Sequence, residues 1–196
     1  MKKQQGFTLI ETLIAILILT LSIGALLSLA AGGFFSVRYA RNQIVANNLM
    51  QESLEYIRNT RDTSFNQGLT WDDWKNTVLS VDTAGNTTGT GVDGCFSSSG
   101  CYVDPYTTGP HIKECQGGGC PNVIYYPDEG FYGYSTSYPF TPGPSQPFTT
   151  SFVRRIKVEP STKSPDQVIV SASITWLNGA TAKTISQSML ITNWKQ

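Results

Sequence analysis

The sequence predicts an α+β chain: a long N-terminal α-helical spine packed on an antiparallel β-sheet, with a disulfide-bearing loop region between them. Three observations carry this prediction. Thr12 to Phe35 is a run of 24 residues without a charge, rich in Leu, Ile and Ala. Behind it the pattern turns amphipathic without a proline. The C-terminal 45 residues alternate apolar and polar side chains at a spacing of two, the period of a half-buried strand.

Twenty-four helical residues span about 36 Å, enough to cross a bilayer core with some tilt. A helix on a soluble protein needs a polar face, and this stretch has none. Lys2 and Lys3 precede it, which places the extreme N-terminus in the cytoplasm and everything after Phe35 outside. Beyond Phe35, Val37, Ala40, Ile44, Val45, Leu49, Leu54 and Ile57 recur mostly three and four residues apart. Arg41, Asn47, Gln51, Glu55, Arg58 and Asn59 occupy the other face. One helix from about Thr8 to Arg61 is expected, its first half an anchor and its second half packed on a domain. Gly24, Gly32 and Gly33 each cost such a helix about 1 kcal/mol against alanine. Close helix packing in the membrane accounts for Gly24, and the Gly32-Gly33 pair is open between packing and bending.

The sheet is read backwards from the C-terminus. Val168, Val170, Ala172, Ile174 and Trp176 share one face, opposite Ser171, Ser173 and Thr175. Asn178-Gly179 reads as a two-residue turn in which both residues accept positive φ. A second strand follows from Lys183 to Thr192, with Ile185, Met189 and Ile191 on one side and Leu190 on the other. Phe152 to Val158 supplies a third, before a turn at Pro160–Pro165. A sheet with one apolar face needs a cover, which the amphipathic half-helix supplies; Trp194 is expected to seal that core.

Between helix and sheet lies a region rich in Gly, Ser, Thr and Asn. Trp71-Asp72-Asp73-Trp74 begins a short helix with its acids exposed, and Thr83–Gly94 reads as a loop. Cys95, Cys101, Cys115 and Cys120 follow, separated by 5, 13 and 4 residues. Three pairings are open. Local closure, Cys95–Cys101 and Cys115–Cys120, has the smallest entropy cost. A zinc site is the alternative, but the spacing is not that of a zinc ribbon and the exported compartment favours oxidation. Tyr125, Tyr126, Phe131, Tyr132, Tyr134, Tyr138 and Phe140 form an aromatic stretch. It reads as a plug on the side of the sheet, with a sugar-binding or adhesive surface as the alternative.

The composition also excludes functions. The chain carries 14 basic and 14 acidic side chains, which gives no basic footprint for nucleic acid. One histidine, His111, has no recognisable catalytic partner, and no nucleophile–base spacing, phosphate loop or metal-ligand cluster appears. No enzyme and no cofactor are expected.

The N-terminal segment Lys2-Lys3-Gln4-Gln5-Gly6-Phe7-Thr8-Leu9-Ile10-Glu11 resembles the type IV prepilin and pseudopilin signal, whose motif GFTLIE matches residue for residue. The resemblance implies that a prepilin peptidase cuts between Gly6 and Phe7 and methylates the new amine of Phe7. A glycine before the cut lets the scissile backbone approach an enzyme closely. Glu11 is a carboxylate at the head of an apolar run, and such residues are expensive and usually functional. An interfacial side chain reaching water is the plain alternative. The resemblance implies that Glu11 meets the free amine of Phe7 in a neighbouring subunit and sets the register between subunits. An ordinary secretory signal cut after Ser28-Leu29-Ala30 is the rival; its apolar core would be about 7–15 residues, shorter than this run.

On this resemblance the chain divides into a cleaved leader (1–6), a transmembrane and filament-core helix (7–35) and an amphipathic half-spine (36–61). A variable loop-rich region with four cysteines (62–151) and a C-terminal antiparallel sheet (152–196) complete it. Its implied partners are other pilin or pseudopilin subunits, prepilin peptidase, an inner-membrane assembly platform and, before assembly, membrane lipid. The implied location is the inner membrane, single-pass with the C-terminal domain outside, and then an extracellular or periplasmic filament. The stretch Ala46–Asp62 looks like the spine of minor pilins of the pilus-modification and type II secretion I-subunit group. Glu11 departs from the tip pseudopilin pattern. No acid follows Asp166 to form the C-terminal calcium site of major pseudopilins, and the cysteines are mid-chain, unlike the C-terminal loop of many major pilins. A minor pilin or pseudopilin is the expectation, with a major pilin or a membrane-tethered binding module as alternatives.

Overall fold

A computed structural model describes residues 8–82, 84–89, 93–108, 110–117, 119–134 and 144–194. The leader with Lys2, Lys3, Gly6 and Phe7, part of the Thr83–Gly94 loop, and Tyr138 and Phe140 lie outside the described residues. The chain divides into two compact units, Met1–Gln43 and Ile44–Gln196. Helix α1, Leu9–Asn66, begins in the first and ends in the second.

The first unit is helical throughout its described part from Leu9 onward, and residues 8–41 are all exposed. The hydroxyls of Thr12, Thr20, Ser22 and Ser36 donate back to the carbonyls of Leu9, Leu17, Ile18 and Gly32 at 2.7–3.1 Å. These four hydroxyls are satisfied within the helix itself.

The second unit contains the rest of α1, α2 (Trp71–Trp74), a wider π-type turn (Lys75–Leu79), a 3₁₀ turn (Gly94–Phe96) and seven strands. The strands are β1 (Cys101–Val103), β2 (Ile112–Glu114), β3 (Asn122–Tyr126), β4 (Phe131–Gly133), β5 (Phe148–Pro160), β6 (Gln167–Asn178) and β7 (Thr181–Thr192). All pairings are antiparallel. β5, β6 and β7 form a meander, and the other side of β5 is shared by β3 and β1, which carry β4 and β2 outside them. The helix-on-sheet architecture is the predicted one. β1–β4 were not among the predicted strands, because three to five residues are too few to show an alternation.

The helix end differs from expectation by five residues. Asp62, Thr63 and Ser64 are poor helix formers, yet α1 runs to Asn66. Gly68, at φ +87°, donates to Phe65 O while Leu69 N donates to Ser64 O. This is the paired bonding of a Schellman cap, so the glycine rather than the propensity of the last turn sets the boundary. α2 then starts from a reciprocal Thr70–Asp73 capping box, which pulls the exposed Asp73 carboxyl below its ordinary range.

The core lies between α1 and the sheet. Val168, Val170, Ala172, Ile174 and Trp176 of β6 are all buried, with Phe152, Ile156 and Val158 of β5 and Ile191 of β7. From α1 the buried stripe is Ala46, Leu49, Met50, Ser53, Leu54, Ile57, Ser64 and Phe65. Ala46, Met50 and Ser53 were not assigned to this face from sequence, whereas Val37 and Ile44, which were, are exposed. The Ser53 hydroxyl enters the core because it bonds Leu49 O at 2.6 Å, which satisfies it there. Trp194 does not seal the core: it is 57% exposed, edge-on to Phe65, and its Nε1 donates to Asp62. Trp74 and Trp176, both fully buried, fill the interior instead.

The β6–β7 hairpin also corrects a detail. Asn178 pairs with Thr181, so the turn residues are Gly179 and Ala180, and Gly179 alone has positive φ. Glycine at the first central position is the II′ requirement. Relative to the expected turn the register moves by two residues, which leaves every side chain on its expected face.

The cysteines are bonded as Cys95–Cys101 and Cys115–Cys120, buried or nearly so. The first loop is bracketed by Gly94 and Gly100, both at positive φ. A Cβ on Gly94 would meet Leu79 O at 2.5 Å, and one on Gly100 would meet Ile156 O at 2.5 Å. Both positions require glycine for backbone approach as well as for φ.

Candidate functional site

Glu11 lies in the first turn of α1, on an exposed part of the helix. Its amide bonds Thr8 O at 3.1 Å, and its carboxylate has no bonded partner among the described residues. A helix N-terminus favours a negative side chain by about 0.3–1 kcal/mol, a modest gain against the cost of holding a charge in hydrocarbon. Around it Leu9, Ile10, Leu13, Ile14, Ile16 and Leu17 stand 51–79% exposed, and every large apolar side chain as far as Phe35 is similarly bare. Each would cost about 1.5–3 kcal/mol to leave in water. The segment is long and apolar enough to cross a membrane by length and composition. Added Cβ atoms on Gly24, Gly32 and Gly33 would meet nothing within 4 Å, so no contact within the chain calls for glycine there.

Among the described residues of the second unit, the buried charged side chains are Arg154 and Asp104. Arg154, on the core face of β5, has a fully buried side chain. Its Nη1 donates to Glu52 of α1 at 2.6 Å, its Nη2 to Val103 O of β1, and its Nε to the Tyr134 hydroxyl at 3.3 Å. The guanidinium also lies 5.4 Å from the Tyr134 ring centre. One planar fork thus ties the helix, two strands and the residue after β4 together, which a lysine cannot do. Burial alone would lower the Arg154 pKa; Tyr134 and Glu52 outweigh it and leave the group above its ordinary value. Burial pushes the Tyr134 phenol up, against the pull of Arg154. Strand parity pointed to Arg154, since it shares a face with Phe152, Ile156 and Val158, but the sequence reading did not use it.

The aromatic stretch is layered within its described part. Tyr126 and Phe131 stack at 4.6 Å, Tyr106 lies 4.3 Å from Phe131, and Tyr125 lies 4.8 Å from Tyr132. His111 is exposed, its Nδ1 3.1 Å from Asp104 O, and its ring lies 6.1 Å from that of Tyr56.

Residues 1–31 match the family model of the prokaryotic N-terminal methylation motif. No curated protein and no solved structure matches the chain. The motif marks the N-terminus as type IV prepilin-like, and it spans Gly6, Phe7, Glu11 and most of the apolar run.

Proposed function

We propose that this prepilin-like chain is a structural subunit of a type IV pilus-like filament, most similar in role to a minor pilin or minor pseudopilin. The observation that carries the reading is a methylation motif directly ahead of a helix whose apolar side chains are bare on every side. Lipid covers such a helix before assembly, and the helices of neighbouring subunits cover it afterwards. Cleavage after Gly6 frees the Phe7 amine, and Glu11 of another subunit pairs with it. Prepilin peptidase and an inner-membrane platform serve this pathway, and the domain from Ile44 onward is displayed outside.

The minor role rests on the loose likeness of Ala46–Asp62 to minor-pilin spines and on the mid-chain position of both disulfides. Sheared filaments from cells expressing a tagged full chain test it. The chain is expected in the filament fraction at far less than one copy per major subunit. Dominance of that fraction would make it the major pilin. Complete absence, with no pilin co-purifying from membranes, would leave a membrane-tethered binding module, which the layered aromatics favour as the second reading.

A further inference from the structure

A cavity of about 370 Å³ lies within the domain from Ile44 onward, lined by the C-terminal turns of α1, the π-type turn after α2 and residues 110–112. Cavities that hold small ligands run from about 300 to 1,000 Å³. Tyr56, Asn59, Thr60 and Thr63 reach it from one face of the helix, because residues three, four and seven apart stack on the same side. Its apolar lining includes Val81 and Ile112, both buried, and the half-buried Val78. Tyr56 and His111 supply two rings, inclined at 54° to each other.

The polar groups here fall into two sets. Thr60 Oγ1 donates to Ile57 O and accepts from Trp74 Nε1, and Thr77 Oγ1 donates to Asp73 O, so these hydroxyls serve the fold. The Asn59 amide and the hydroxyls of Thr63 and Ser64 have no bonded partner among the described residues. Ser64 is the telling one, since it is only 5% exposed and the surface it keeps belongs to the cavity. A hydroxyl so far from bulk water is costly unless something polar reaches it. His111 adds an acceptor. Its Nδ1 lies 3.1 Å from Asp104 O; a carbonyl only accepts, so Nδ1 carries the proton and the neutral ring keeps its lone pair on Nε2. That atom too has no bonded partner among the described residues.

No Asp, Glu, Lys or Arg lines the cavity among the described residues. Asp104 acts on Tyr56 from outside the lining: burial first, then this acid, hold the phenol above its ordinary pKa, so it stays a donor. A charged ligand would lose its hydration here without gaining a counter-charge, and an acyl chain would strand the amide and the hydroxyls. A sugar ring meets both demands. Its C–H face packs on an aromatic ring, and its hydroxyls both donate and accept.

We infer that this cavity binds a neutral monosaccharide unit, held by Asn59, Ser64 and His111 against the Tyr56 ring. The inference goes beyond the assembly reading and does not depend on it. It is tested by saturation-transfer NMR on the full chain in a detergent without a sugar headgroup. The probes are the methyl glycosides of glucose, galactose, mannose and N-acetylglucosamine, with glucuronate and glucosamine as charged counterparts. At least one neutral glycoside should bind saturably at millimolar concentration, and the charged sugars at least tenfold more weakly. Asn59→Ala with Ser64→Ala should cut the affinity at least tenfold, while Tyr106→Ala, in the layered aromatics, should leave it unchanged. Should the double variant fail to fold, Asn59→Ala alone, at an exposed position, should still weaken binding severalfold. No saturable binding of any neutral glycoside would overturn the inference. So would binding that survives the Asn59 and Ser64 changes, binding lost with Tyr106→Ala, or charged sugars bound as tightly as neutral ones.

Discussion

Arg154→Met is expected to destabilise the domain from Ile44 onward by about 3–5 kcal/mol, the cost of breaking a buried ion pair by removing one partner. The guanidinium satisfies Glu52, Val103 O and Tyr134 at once, and its side chain is fully buried. Methionine fills much of the volume but leaves a carboxylate, a carbonyl and a phenol without their donor. Arg154→Lys should recover only part of the loss, because an ammonium cannot reach three elements in one plane. The measurement is urea unfolding of the detergent-solubilised full chain, followed through the buried Trp74 and Trp176. Arg154→Met with Glu52→Gln should cost less than the two changes added together, since the second removes the charge that the first strands. A loss of about 0.5 kcal/mol, the scale of an ordinary surface substitution, would mean that the network is not closed as described.

Glu11→Ala carries the second large effect, on assembly rather than folding. Glu11 lies far from any core residue in sequence, and its neighbours on α1 are exposed, so the domain from Ile44 onward should unfold at an unchanged urea concentration. If Glu11 meets the Phe7 amine of a neighbour, its removal leaves a buried ammonium unpaired. A penalty of about 3–5 kcal/mol per contact corresponds to roughly a hundredfold or greater loss of filament incorporation. Glu11→Gln should fail almost as badly, because it keeps the shape and loses the charge. If Glu11 only favours the helix N-terminus or reaches interfacial water, the glutamine chain should incorporate within a few-fold of the parent. Quantifying tagged chain in sheared filaments against membrane-bound chain separates these outcomes.

The parts of the fold that were legible in the sequence are those in which one physical signal repeats. The apolar run from Thr12 to Phe35 excludes a soluble helix by its length, and β6 and β7 show their faces through a dozen residues of alternation. What was not legible depends on a single residue or on contacts distant in sequence. Gly68 ends α1 five residues beyond the point where polar side chains suggested a stop. β1 and β2 are three residues each and exist because β5 offers an edge to pair with. The buried Arg154 network depends on Glu52, 102 residues earlier in the chain, meeting it in space. At the N-terminus the balance is reversed. The motif was fully legible, while Gly6 and Phe7 lie outside the described residues.

The mass of the mature chain's N-terminal peptide, taken from membranes of cells with an active prepilin peptidase, tests the central claim most directly. A chain that begins at Phe7 and carries one added methyl group on its amine is the predicted result. A chain that retains Met1–Gly6, or one that begins at Ala31, would contradict it.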